Sequence, residues 1–277
     1  MGQLLGVELF KIRKRMMTWI LLAVLVVFVI LFLVFSYLAV TSSLSSVHQP
    51  LKDALQFPKA FTMVLSMTQS IGIILLIILA ASLIGSEYGW GTVNQVIGRE
   101  GKRSFYMGSK VFALIITILL LVLIGLVVGT LLSIFTTYKL AGGLNWSFFT
   151  LSFGGSLIKM FGWTAFTILV YTLLAMLFAT LGRSVVAGIG GALGYYFIEA
   201  ILVGVLNNAS GWSHRIPDFL IGGNRGALLV IGLERNGPFG GSATSVSVLH
   251  ATAVLILYGI AFLGIILYLF RRQDLTA

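Results

Sequence analysis

The 277-residue chain has no cysteine, which excludes a disulfide framework and a thiolate metal site and leaves the redox compartment unmarked. Charge is also scarce: 9% of residues are charged, eight acidic against eighteen basic, while 58% are apolar. No soluble domain of this length is so depleted in charge, and the composition indicates a membrane protein. Catalytic patterns are missing too. There is no Gly-x-Ser-x-Gly elbow and no His-Glu-x-x-His pair, and His48, His214 and His250 stand far apart. Gly101-Lys102 lacks the glycine that a phosphate loop places five residues earlier, where Val96 stands. The expectation is a chain that is no enzyme, with no metal site and no cofactor of its own.

What is present is a series of long apolar runs. A helix needs about 20 mostly apolar residues to cross a hydrocarbon core of about 30 Å. Six runs qualify, at about 17–40, 68–86, 111–135, 160–181, 185–206 and 250–270. Unbroken runs of this length argue for helices, not the alternating strands of a barrel, so the fold class is all-α. Residues 1–277 read as one transmembrane domain. The first run follows Lys11, Arg13, Lys14 and Arg15, as a secretory signal would. It is too long for a signal, and Ser36-Tyr37-Leu38-Ala39-Val40-Thr41 makes a poor cleavage site, so it reads as a retained span.

Six crossings put both termini on one side. With that side cytoplasmic, the inner segments hold Lys11, Arg13, Lys14, Arg15, Arg99, Lys102, Arg103, Lys110, Arg183, Arg271 and Arg272, eleven of the eighteen basic residues. The positive-inside rule therefore predicts cytoplasmic termini. The same asymmetry accounts for the net charge of +10 without nucleic acid as a partner. The expected location is a prokaryotic plasma membrane. Within residues 1–16, Leu5, Leu9, Ile12 and Met16 recur at helical spacing, with Lys11, Lys14 and Arg15 opposite. That pattern predicts an amphipathic helix on the membrane lipid, its interface residues being Lys11, Arg13, Lys14 and Arg15; the other reading is a basic tail that sets topology.

The most informative polar stretch is 87–103, between the second and third spans. Thr92-Val93-Asn94-Gln95 fits a capping box and Gly98 a helix stop, predicting one or two helical turns with Trp90, Val93 and Ile97 as apolar contacts. The competing reading is a connecting loop whose aromatics rest at the membrane surface. Glu199 is the one acidic residue well inside an expected span, about 20 Å along its helix from Val185 at 1.5 Å per residue. It marks a polar pathway or subunit contact, or else faces outer headgroups beyond an early helix break. Gly190-x-x-x-Gly194 and Gly125-x-x-x-Gly129 permit close helix contact or a mobile helix. In the outer loop, 207–249, apolar pieces too short to span suggest interfacial or re-entrant segments.

Taken together, the basic N-terminal helix, the six spans, Glu87-Tyr88-Gly89-Trp90-Gly91-Thr92, the Leu181-Gly182-Arg183-Ser184 break and the ending Phe270-Arg271-Arg272-Gln273-Asp274-Leu275 resemble a permease subunit of the type-2 ATP-binding-cassette (ABC) transporter family. The resemblance covers nearly the whole chain. It implies an elbow helix at 1–16 and a coupling helix from Glu87 to Ile97, with Glu87, Tyr88, Trp90, Gly91, Thr92, Val93, Gln95 and Ile97 docking on a separate ATPase subunit. It further implies ATP and Mg bound by that partner, a second permease chain forming a homodimer or heterodimer, and export as the activity. The alternatives are a stand-alone channel or secondary transporter, and a membrane scaffold.

Overall fold

Where water is absent, a chain must bond its own amides, and each apolar run here does so as a helix. The computed structural model describes residues 2–42, 48–89, 103–143, 150–208, 212–229 and 246–272. Among them are the helices α1 (Gly2–Lys14), α2 (Met16–Thr41), α3 (His48–Leu55), α4 (Ala60–Gly89), α5 (Arg103–Ala141), α6 (Leu151–Gly182), α7 (Val185–Leu206), α8 (Ile221–Leu229) and α9 (Val248–Arg272). A 3-10 helix, Trp212–Phe219, precedes α8. The described residues contain no strand. Six helices, α2, α4, α5, α6, α7 and α9, are long and apolar enough to cross a membrane. The protein is an all-α, multi-pass membrane protein.

The joints have local causes. Arg15 adopts an extended conformation (φ −72°, ψ 121°) and separates α1 from α2. Thr150 caps α6 by accepting from the Phe153 N–H. The expected break at Leu181-Gly182-Arg183-Ser184 is a tight turn: Arg183 takes a left-handed conformation (φ 47°), unusual for a non-glycine residue, and the Ser184 hydroxyl accepts from the Ala187 N–H at 3.0 Å to start α7. A side chain at Gly85 would run into the backbone of Ser184 and Val185, so only glycine lets α4 pass this turn so closely.

The bundle has an inside and an outside. In their most apolar windows, α4 and α6 are 67% and 72% buried, against 17% for α2, α7 and α9. The two buried helices form its centre. Gly125 and Gly129 of α5 face Thr68 and Val64 of α4 with no room for a Cβ, so this glycine pair serves close packing. Gly190 and Gly194 of α7 have nothing within 4 Å, and within this chain their pattern makes no close contact.

Three spans outrun the apolar cores visible in sequence. At 1.5 Å per residue, the 30-residue α4 and 39-residue α5 measure about 45 and 58 Å, well beyond a hydrocarbon core of about 30 Å. Helices continue through polar flanks because intrahelical bonds do not require apolar side chains. Consequently Glu87, expected in a loop, lies in the last turn of α4.

Candidate functional site: two buried carboxylates at opposite ends of the bundle

At the end of the bundle that carries α1, helix α4 stops at Gly89 and α5 begins at Arg103. Glu87 is 6% exposed. Its Oε1 lies 2.6 Å from Lys110 Nζ and 3.3 Å from Lys11 Nζ, and its Oε2 accepts from the Tyr106 hydroxyl. Glu8, 3% exposed, takes the same two ammonium groups, Lys11 at 2.9 Å and Lys110 at 3.0 Å. Two carboxylates and two lysines thus balance in one knot.

Helical spacing assembles it: Glu8 and Lys11 stand one turn apart on α1, and Tyr106 and Lys110 one turn apart on α5. Lys110 also lies over the Tyr106 ring, 4.7 Å from its centroid, and that ring stacks on Phe270 of α9. Burial by itself would lower the Lys11 pKa. The hydrogen bond to Glu8 and the charges of Glu87 and Glu8 outweigh it and hold Lys11 above the ordinary lysine value. Beside the knot, the Arg15 guanidinium donates to the Ser82 hydroxyl at 3.2 Å, to the Ser82 carbonyl and to the Ser86 hydroxyl at 3.1 Å, fixing the α1–α2 joint on α4.

At the opposite end, α7 runs unbroken through Glu199, which is 2% exposed. This carboxylate is held by neutral donors. The Tyr171 hydroxyl donates to its Oε2 at 2.5 Å, the Tyr195 hydroxyl to Oε1 at 3.2 Å, and the Gly222 N–H to Oε1 at 2.9 Å. Gly222 lies in the first turn of α8, so Glu199 caps that helix from a neighbouring element and its charge meets the positive end of the helix dipole. Arg225, one turn further along α8, donates to the Tyr196 hydroxyl at 3.1 Å. Burial lowers the Arg225 pKa, but Tyr196, Tyr171 and Glu199 outweigh it and raise the value overall. The 3-10 helix packs with α8 on α7, and the His250 ring bonds the Asp218 carbonyl at 2.9 Å. The short apolar pieces of the 207–249 region that are described therefore pack into the bundle beside Glu199.

The structure splits the residues singled out from sequence. Glu87 is engaged within the chain, and Tyr88 is half-buried against the core. Trp90, Gly91, Thr92, Val93, Gln95 and Ile97 lie outside the described residues. Lys11 and Arg15 turn inward, while Arg13 and Lys14 stay exposed. Glu199 and the Gly190/Gly194 face share α7 but point differently, the one into the bundle and the other out of it. Sequence reasoning counted Lys110 only as an inner basic residue and passed over Glu8 and Tyr106, as it did the donors Tyr171, Tyr195 and Gly222. The signal for the first three was present in Glu8-x-x-Lys11 and Tyr106-x-x-x-Lys110, polar pairs at helical spacing beside spans. Among the described residues no group of three or more histidines and acids could hold a metal ion.

No curated protein matches the chain. The match to a family profile runs over residues 42–276, most of the sequence, and on that ground the chain belongs to DUF2705, a family described as a protein of unknown function.

Proposed function

We propose that this chain is the membrane-spanning subunit of an ABC exporter, in which the 87–103 segment docks on a separate ATPase and passes its nucleotide-driven motion to the spans. The single observation that carries the reading is the clamp at the base of that segment. Glu87 at the end of α4 is bonded to Tyr106 and Lys110 at the start of α5, so the two helix ends that flank the segment are tied together at one buried point. Both helices also exceed the length a bilayer core requires. A rigid base at the end of long helices suits a segment that receives force. In this reading α1 is the elbow helix on the inner membrane surface, both termini are cytoplasmic, and the exposed face of α7 (Val186, Gly190, Gly194, Ile198) meets a second permease chain. ATP and Mg bind the partner ATPase. The channel or secondary-transporter reading would draw on Glu199, but that carboxylate is committed to holding α8.

The test is recovery of the tagged chain from its native membrane. The expected result is an accompanying ATPase whose turnover rises when the two are reconstituted together; a chain that binds no ATPase contradicts the proposal. Orientation is checked by labelling in the cysteine-free background. Cysteines at Ser45 and Ser242 should react with an impermeant reagent from outside and one at Ser104 should not, whereas labelling of Ser104 alone reverses the topology.

A further inference from the structure

The inward face of α1 carries charge as well as apolar side chains. Leu5, Leu9, Ile12 and Met16 form one stripe in sequence, and a helix governed by apolar burial would turn that stripe inward. Leu5 and Leu9 are half-buried against the core and Ile12 is the only fully buried apolar side chain of α1 among the described residues, whereas Met16, 79% exposed, lies beyond the Arg15 joint in α2. Glu8 lies at the centre of the inward face, 3% exposed. Glu8 therefore shares the buried face of α1 with Ile12, and brings an ionic contact to a place where apolar packing alone would serve. Such a buried set rarely adds net stability over apolar packing, and its best-attested role is to fix register between elements. Here the elements are α1, α4 and α5. Lys110 joins them, with Glu8 at 3.0 Å on one side and Glu87 at 2.6 Å on the other.

We infer that Glu8 and Lys110 are positioning residues that fasten α1 to the base of the 87–103 segment, so that α1 moves with that segment as one body when a partner engages it. The inference rests on the docking reading and deepens it by adding a transmitting element that does not itself touch the partner. Glu8 is the informative position because it belongs to α1 alone. Glu8→Gln keeps the shape of the side chain and leaves Glu87 paired with Lys110 and Lys11, so the clamp at the base of the segment survives. Binding and transmission then separate.

The experiment uses the full chain reconstituted with its ATPase in liposomes, measuring both the affinity of the ATPase and the stimulation of its turnover. Glu8→Gln should bind with affinity within about twofold of wild type, yet lose most of the stimulation. Glu8→Asp, which keeps the charge on a shorter stem, should recover part of it. A Glu8→Cys/Lys110→Cys pair should be uncoupled as prepared and recoupled by a flexible bismaleimide, because the native chain has no other cysteine. Should Glu8→Gln not accumulate, the cysteine pair is compared with itself before and after cross-linking, Lys110 being absent from both, with ATPase affinity measured in each state. Full stimulation in Glu8→Gln, or no recovery on cross-linking, overturns the inference while leaving docking intact. Absence of ATPase binding by the wild-type chain defeats the docking reading itself and this inference with it.

Discussion

Glu87 and Glu199 are buried acids on neighbouring helices, yet one is stabilised by ions and the other by dipoles. Around Glu87 the compensating charges come from α1 and α5, elements far apart in sequence, and two lysines are shared between two carboxylates. Around Glu199 the donors are two tyrosine hydroxyls and the amide of Gly222, with no ion pair within 4 Å among the described residues. The ionic arrangement makes each member dependent on the others, because loss of one leaves a buried charge uncompensated. The dipolar arrangement distributes the load over several donors, each replaceable in part. One end is built as a joint between separate elements, the other as an anchor for a short inserted helix.

The largest expected effect is at Lys110. Lys110→Met removes the ammonium that both carboxylates share and should lower stability by about 3–5 kcal/mol, read as thermal unfolding of the purified chain in detergent. Replacing the set with apolar residues, Glu8→Leu/Lys110→Met/Glu87→Leu, should recover much of that loss, which sharpens the contrast between stability and coupling. Gly85→Leu should cost about 1–3 kcal/mol by the same measurement, since the added side chain meets the backbone of Ser184 and Val185. At the dipolar end, Glu199→Gln keeps acceptor capacity for a hydroxyl or the Gly222 amide but loses the charge, and a cost of about 1–2 kcal/mol is expected. Its more specific sign is faster proteolysis within 212–229, as α8 loses its cap. Equal losses for Lys110→Met and Glu199→Gln would erase the distinction between the two ends.

The smallest effect concerns pH. Because the folded pKa of Lys11 is raised, its contribution is fully present below its unfolded value near 10.5 and is lost as pH rises through the folded value. Lys11 is partly exposed, so solvent screening limits the contribution to about 0.5 kcal/mol. Wild-type stability should therefore fall slightly as pH rises past 10.5 and through the folded value, a fall that Lys11→Met lacks.

The spans were legible because each needs about twenty apolar residues in unbroken sequence, a local property. Val185–Leu206 matched the expected limits because Gly182-Arg183-Ser184 supplies both a stop and a cap beside the apolar run. The ends of α4 and α5 and the start of α6 were not legible, since helical bonding persists through polar residues such as Ser86, Glu87, Ser104, Ser109 and Ser152. The knot was hidden for another reason: Glu8 and Lys110 stand 102 residues apart, a separation that no local pattern bridges. Glu199 drew notice as a lone acid in a span, but its donors came from α6, its own helix and α8, a combination no local pattern records.

The central claim, that the 87–103 segment receives a partner on a base made rigid by the ionic knot, is tested most directly by the affinity of the ATPase for chains altered only within that segment. Val93→Asp/Ile97→Asp should leave membrane insertion and thermal stability unchanged while weakening ATPase binding by about thirtyfold or more, the effect of losing a buried apolar anchor worth about 2 kcal/mol. Wild-type affinity and full transport in that double variant would contradict the account.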